Sequence, residues 1–190
     1  MRFLIIVAGA LGGYYGGMLL KGGAYVAFFV RPRRAAQLAE RGLVIKEPDG
    51  VFTTPVRTVL AGNVGGAYDV VFLACKAYDL EGAIDEFAPA LAADGAVLPV
   101  LNGFNHVDVL SDRLGAARVL GDVTPFSVVR NAEGEIVRPR VGPWQTLFGE
   151  LTGERSARCE AQLRLPTGTL GPSGGGPSAA LRCRGLQCRG

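Results

Sequence analysis

Short apolar runs alternate with helix-like stretches along the first 120 residues, and this alternation limits the possible folds more than any other feature of the sequence. The runs RFLIIV (2–7) and YVAFFV (25–30) predict two buried strands, and the glycine-rich stretch between them predicts a helix over 10–22. A second predicted helix has Pro32 in its first turn and Gly42 just past its end. Strands that alternate with helices in this way indicate an α/β fold with a mainly parallel sheet.

The alternation is interrupted once and then resumes. Segment 43–59 carries Pro-Asp-Gly between two extended runs, which predicts a β-hairpin. The elements predicted beyond it are strand 68–75, helix 80–93, strand 96–102, a helix near 107–115 and, up to residue 150, antiparallel strands that close the sheet and contain an Asn-Ala-Glu-Gly turn.

The composition changes near residue 161. The last thirty residues contain seven glycines and three prolines but no aromatic, acidic or lysine residue. Such a segment buries too little apolar surface to offset its ordering entropy, so we expect disorder. Because all 17 acidic residues precede this tail, the net charge of +3 belongs to the tail and does not indicate nucleic-acid binding. A natural flexible tail and an aberrant, frame-shifted C terminus both fit, and the abrupt arginine-rich onset favours the second.

Membrane, secreted and metal-binding proteins are disfavoured. No apolar run approaches the roughly 18 residues that a membrane span needs. The opening MRFLIIV lacks the cleavage region of a secretory signal, which favours a cytoplasmic protein. The four cysteines form no CxxC pair, and the sequence has no cluster of metal ligands, so we predict no metal site.

The stretch VAGALG (7–12) follows a predicted strand and opens a predicted helix, which is the setting of a dinucleotide-binding turn. Gly9 and Gly12 would allow close approach to a pyrophosphate and tight packing of helix on strand. Val7 stands where the motif has its first glycine, and a left-handed backbone there would cost roughly 1–2 kcal/mol. A purely structural turn also fits this imperfect motif. The candidate cofactor-binding residues of the loop are Val7, Ala8, Gly9, Ala10, Leu11 and Gly12.

Arginines follow the second predicted strand, where an NAD-binding protein would normally have an acidic residue. Arg31 comes directly after the strand, and Arg33 and Arg34 come next. A guanidinium can bind a 2′-phosphate through two hydrogen bonds, whereas a carboxylate would repel it. The sequence therefore predicts that Arg31 selects NADP over NAD, and we interpret Arg33 and Arg34 as a solvated helix start.

Two more polar residues stand just past apolar strands. Lys76 follows VVFLAC and Asn102 follows AVLPVL, so both are expected at the same crevice as the glycine turn. Lys76 would anchor a phosphate or carboxylate, although most loop lysines are simply solvated. Asn102 would orient the nicotinamide ribose and a substrate carbonyl. We assign His106, the only histidine, to capping or packing rather than to acid catalysis.

Five segments resemble the ketopantoate reductase (2-dehydropantoate 2-reductase) family. They are, in order, AGALGGYYGG, FFVRPRRAAQLAERGLVI, LACKAYDL, LNGFNHVDVL and FGE. Their order and spacing fit across roughly residues 1–160, which is far more specific than the glycine motif alone. The resemblance implies a Rossmann-type, doubly wound N-terminal domain, an all-helical C-terminal domain, and a substrate between them. It implies NADPH-dependent reduction of 2-dehydropantoate, a small 2-oxo acid, to pantoate on the route to pantothenate and coenzyme A.

The resemblance also implies roles for particular residues. The loop from Gly9 to Gly12 would lie at the pyrophosphate and Arg31 at the 2′-phosphate. Lys76 and Asn102 would lie at the cofactor and substrate. A small residue that contacts the cofactor in the family corresponds to Ser127.

The family's proton donor is a lysine of the helical domain, assisted by a glutamate. This sequence has no lysine after Lys76 and no acidic residue after Glu160. We therefore expect a NADP-binding domain over 1–150, the start of an interdomain connection over 151–160, a tail over 161–190, and no helical domain.

The expected absence of a proton donor predicts that the chain as written reduces 2-dehydropantoate very poorly. Two other interpretations stay open: a catalytically silent or vestigial NADP-binding protein, and a reductase of another 2-oxo acid. An apolar face left uncovered by the missing domain would favour self-association into an oligomer.

Overall fold

A computed structural model describes residues 1–123, 127–139, 146–154, 156, 159 and 170–172. The helices are α1 (Ala10–Lys21), α2 (Pro32–Arg41), α3 (Leu80–Phe87) and α4 (Asn105–Leu114), with short 3-10 turns at Ala77–Asp79, Ala88–Ala90 and Ala116–Arg118. The strands are β1 (Arg2–Ile6), β2 (Tyr25–Phe29), β3 (Leu43–Glu47), β4 (Gly50–Thr54), β5 (Arg57–Val59), β6 (Tyr68–Leu73), β7 (Leu91–Pro99), β8 (Leu120–Val123), β9 (Val129–Arg130), β10 (Ile136–Val137), β11 (Thr146–Glu150) and β12 (Leu170–Pro172).

Five strands form a central sheet in the order β5-β2-β1-β6-β7, and every pair in it is parallel. Successive residues of β1 point to opposite faces and join two separate apolar clusters, with Phe3 and Ile5 in one and Leu4 and Ile6 in the other. Helix α1 packs on the first face, and α3 and α4 pack on the second. Both faces are covered, which explains why β1 is a continuous apolar run. The predicted mainly parallel, doubly wound sheet is confirmed.

Glycines let α1 lie unusually close to its neighbours. A Cβ on Gly16 would lie 2.4 Å from the ring of Phe28 in β2, and one on Gly17 would lie 2.2 Å from Cδ1 of Ile45 in β3. A larger residue at either position would push the helix away from a packed side chain. The glycine-rich sequence of α1 therefore reflects close packing on two sides.

A second sheet, here called the hairpin sheet, has the order β4-β3-β10-β9. Strands β3 and β4 are antiparallel with Glu47 paired to Gly50, so the predicted hairpin at Pro-Asp-Gly is confirmed. Tyr14 of α1 donates its hydroxyl to Glu47 Oε1 over 2.9 Å, and Arg138 Nε donates to the same oxygen over 2.8 Å. Desolvation and the Glu47 carboxylate raise the pKa of Tyr14, so its hydroxyl keeps its proton.

The predicted closing of the central sheet by the later strands is wrong for β9 and β10, which join the hairpin sheet instead. Ile136 of β10 is fully buried and contacts α1, where a Cβ on Gly13 would lie 2.8 Å from Ile136 Cδ1. Through this apolar contact the β9–β10 pair packs on α1. The turn itself is as predicted: the amides of Gly134 and Asn131 donate to the carbonyls of Asn131 and Glu135.

Strand β8 pairs with β11 in a third sheet and touches the central sheet through a parallel bridge between Val97 and Val119. The predicted helix over 80–93 is too long, because α3 ends at Phe87 and β7 begins at Leu91. Pro89 cannot donate the amide hydrogen bond that would continue the helix.

Most of the tail predicted to be disordered falls outside the described residues, except β12, which pairs in parallel with β11. The domain boundaries at 150 and 160 stay a prediction. Within the described ranges, no helix combines the length and apolarity needed to cross a bilayer.

Candidate functional site

The turn from β1 into α1 contains a strained residue. Val7 has φ +72°, a left-handed conformation, and its amide donates to Phe29 O over 3.0 Å. A β-branched side chain in this region costs about 1–2 kcal/mol. The left-handed backbone on which the predicted strain cost at Val7 depends is therefore observed. Val7 is 38% exposed and lies beside Gly9, where a Cβ would be 3.7 Å from Val7 Cγ1.

The start of α1 fits an anion. Gly9 is the N-cap and contributes no side-chain hydrogen bond, and the first turn holds no acidic residue. The first amides of a helix have no partner within the helix and carry the positive end of its dipole, which suits a phosphate group. A Cβ on Gly12 would lie 2.2 Å from Val7 O, so only glycine allows this helix to start so close to the strand. The loop thus fits a pyrophosphate, with Val7 as its one departure.

The other residues predicted for the site lie at the same edge of the central sheet. Ile6 pairs with both Phe29 and Leu73, and Leu73 pairs with Pro99, so the carboxyl ends of four parallel strands meet here. Val7, Arg31, Lys76 and Asn102 come within three residues of these strand ends. In open α/β sheets this edge is where ligands bind.

Arg31 is the N-cap of α2, and its side chain is 85% exposed. Its Nη2 lies 3.3 Å from Oδ1 of Asp79, whose side chain is 37% exposed. Lys76, also exposed, precedes the 3-10 turn that carries Asp79. Sequence reasoning missed Asp79, because the contact joins loops 48 residues apart and no local pattern marks it.

The interpretation of Arg34 as part of a solvated helix start is wrong. It is partly buried and its Nη1 donates to Gln37 Oε1 over 2.6 Å. Burial and the charge of Arg130 lower the pKa of Arg34. Arg33 is exposed, as predicted.

A cavity of about 240 Å³ opens beside the glycine loop. It is lined by Leu11, Val100, Leu101, Asn102, Asp122, Ser127 and Val128. Three predicted site residues, Leu11, Asn102 and Ser127, therefore share one cavity, whereas Arg31 and Lys76 lie outside its lining. Asp122 was not predicted, since it stands in a short strand with no motif around it.

Two further side chains near this edge are unsuited to catalysis. His106 is buried in the first turn of α4, and desolvation lowers its pKa, which agrees with the predicted packing role. Burial and the nearby Asp79 carboxylate raise the pKa of the Cys75 thiol to about 11, so it stays protonated at neutral pH. In the part of the chain that the structure describes, no group of His, Cys, Asp and Glu is arranged to hold a metal ion.

Comparison with known proteins decides the family. The model of the family described as ketopantoate reductase PanE/ApbA matches residues 3–153. The chain belongs to the ketopantoate reductase family. It is 31% identical over 179 residues to a 2-dehydropantoate 2-reductase of Mesorhizobium japonicum, covering 83% of this chain and 54% of that protein. It is 36% identical over 161 residues to YkpB of Bacillus subtilis, described as an uncharacterized oxidoreductase, covering 85% of this chain and 52% of that one.

Solved structures share this fold. The crystal structure of 2-dehydropantoate 2-reductase from Geobacter metallireducens superimposes with a TM-score of 0.81 at 27% identity, covering 90% of this chain and 57% of that one. D-mandelate dehydrogenase with NADH and anilino(oxo)acetate has a TM-score of 0.79 at 22% identity, covering 90% and 56%. The chain spans about half the length of the curated relatives it matches. The family resemblance and the Rossmann-type fold are thus confirmed.

Proposed function

We propose that this ketopantoate reductase family member binds NADPH along the carboxyl edge of its central sheet and serves the reduction of 2-dehydropantoate to pantoate. The observation that carries the proposal is the joint position of the uncapped start of α1, Arg31 and the cavity containing Asn102 at that one edge. A cytoplasmic location and a place in coenzyme A biosynthesis belong to the same proposal.

Each residue has a distinct task in this proposal. The first amides of α1 hold the pyrophosphate, and Gly12 keeps the helix close enough to the strand to present them. Arg31 provides positive charge for the 2′-phosphate, and Lys76 provides it for a cofactor phosphate or a substrate carboxylate. Asn102 and Ser127, in the cavity with Leu11, orient the nicotinamide end and the substrate carbonyl. When bound, the reduced nicotinamide supplies the hydride.

Reduction of a ketone also needs a proton for the carbonyl oxygen. Lys76 lies outside the cavity lining, and no lysine is among the described residues that line this cavity. We therefore propose that this 190-residue chain binds the cofactor but turns over 2-dehydropantoate very slowly.

Calorimetric titration of NADPH and NADH into the purified chain tests the cofactor site. Arg31→Ala should weaken NADPH binding about tenfold and leave NADH nearly unchanged, because only NADPH carries the 2′-phosphate. The matched control is Arg33→Ala, which removes an exposed arginine two residues away and should leave both affinities unchanged. Equal losses of NADPH affinity in the two variants would contradict a specific role for Arg31.

Two other functions are separated by the same titration and a turnover assay. Absence of any cofactor binding would favour a vestigial protein, for which the strained Val7 is the supporting observation. Robust NADPH oxidation with 2-dehydropantoate would overturn the proposed low activity. Turnover confined to other 2-oxo acids would favour a related reductase, a possibility raised by the uncharacterized oxidoreductase among its relatives.

A further inference from the structure

An acidic side chain stands where the cofactor's 2′-phosphate is expected to be recognised. Asp79 Oδ1 lies 3.3 Å from Arg31 Nη2, and in the described part of the chain Arg31 pairs with no other carboxylate. The pair joins the second residue after β2 to the turn after β6, so it spans the carboxyl edge of the central sheet. Both side chains are accessible, with 85% and 37% of their surfaces exposed.

The position of Asp79 is fixed by its own loop. Its amide donates to Lys76 O over 2.9 Å, which closes the 3-10 turn. The next residue, Leu80, is buried against the central sheet and begins α3. Although Asp79 is the N-cap of α3, its side chain makes no capping hydrogen bond. The carboxylate therefore does not cap α3 and instead pairs with Arg31.

A carboxylate in this place has opposite effects on the two nicotinamide cofactors. A phosphate that binds the Arg31 guanidinium either displaces the Asp79 carboxylate or shares the guanidinium with it. If both stay, the phosphate and the carboxylate repel each other. The ribose hydroxyls of NADH carry no charge, and acidic side chains commonly accept hydrogen bonds from them. Arg31 alone would favour NADPH, whereas Arg31 with Asp79 reduces that preference.

We propose that Asp79 is a specificity-determining residue that lowers the chain's preference for NADPH over NADH by pairing with Arg31. The inference rests on the proposed cofactor site. It changes the prediction made from Arg31 alone, since the basic residue and its acidic partner together accept both cofactors.

The test uses Asp79→Asn, with affinities measured by calorimetry for NADPH, NADH, 2′,5′-ADP and 5′-AMP. The two adenosine fragments contact only the adenosine end, so the comparison is independent of catalysis. Removal of one exposed charge near Arg31 should tighten NADPH and 2′,5′-ADP binding about three- to tenfold. NADH and 5′-AMP should bind equally or more weakly. The gain should shrink in high salt.

Glu81→Gln is the matched control. It removes one negative charge two residues away, from a carboxylate that pairs with Arg113 over 2.5 Å rather than with Arg31. It should leave the NADPH to NADH affinity ratio unchanged. The same shift in both variants would mean that net charge alone acts, and would overturn the proposal. Asparagine is a good N-cap residue, so Asp79→Asn should melt at the wild-type temperature.

The remaining outcomes separate the two proposals. If wild type binds both cofactors and Asp79→Asn leaves their ratio unchanged, the role of Asp79 is refuted while the cofactor site stands. If neither cofactor nor either fragment binds to wild type, both proposals fail together.

Discussion

At the scale of single residues, Val7 is the clearest departure from a working dinucleotide turn. It adopts φ +72° and places its side chain beside Gly9, where the backbone has to approach the pyrophosphate. Two effects are combined at one residue: backbone strain and obstruction by the two γ-methyl groups. Substitutions that remove one or both effects distinguish them.

Val7→Gly removes both the strain and the side chain, and we expect it to tighten NADPH binding about tenfold. Val7→Ala removes the γ-methyl groups but keeps a Cβ at positive φ, so it should recover part of the affinity. Val7→Gly should also exceed Val7→Ala in stability by about 1 kcal/mol. Calorimetry and urea denaturation measure the two quantities. Wild-type NADPH affinity in both variants would show that the valine is tolerated.

The sequence predicted residues that lie in local patterns and missed those defined by contacts between loops. Val7 and Arg31 were predicted because each stands at the end of a predicted strand, next to a predicted helix. Asp79 and Asp122 were not, because their neighbours in space are distant in sequence: Asp79 contacts Arg31, and Asp122 pairs with Phe148. Arg34 was assigned to solvent because nothing near it in the sequence indicates its partial burial or the nearby charge of Arg130.

At the scale of elements, the close packing of α1 on β2 depends on Gly16. We expect Gly16→Ala to lower the free energy of unfolding by about 1–3 kcal/mol, because its Cβ would meet the buried ring of Phe28. Gly82→Ala in α3 is the matched control, since no atom lies within 4 Å of its Cβ position. Apart from the adjoining backbone of α3, that position is open, so the better helix propensity of alanine should stabilise the chain by about 0.5–1 kcal/mol. Chemical denaturation measures both values, and a stabilised Gly16→Ala would contradict the packing described.

The elements themselves were predictable to different degrees. The strands and helices of the central sheet follow from periodicity and from the capping residues around α2. The sheet that the later strands join could not be predicted in this way, because it depends on a tertiary contact. Ile136 packs against α1 at Gly13, and this contact places β9 and β10 in the hairpin sheet. The end of α3 was misplaced because Pro89 acted as a stop inside an otherwise helical pattern.

At the scale of the whole molecule, cofactor binding should stabilise the folded chain. A ligand at 100 times its Kd adds about 2.7 kcal/mol, which for a domain of this size raises the Tm by roughly 5–10 °C. We expect NADPH and NADH to give comparable shifts at equal multiples of their Kd, measured by scanning calorimetry. An unchanged Tm at concentrations that saturate the chain in titration would argue that the ligand binds the unfolded chain as well.

The position of α1 between two sheets has a consequence for how the site opens. Residues Gly12 to Leu19 are all buried, with the central sheet on one side and the hairpin sheet on the other. The Tyr14–Glu47–Arg138 hydrogen bonds join α1 to the hairpin sheet. Local fraying cannot expose this buried stretch, so the backbone amides from Gly13 to Leu19 exchange with solvent only when the surrounding layers come apart. The buried turns hold the start of α1 in place for as long as the chain is folded. The phosphate-binding end of the site is therefore ordered before the ligand arrives.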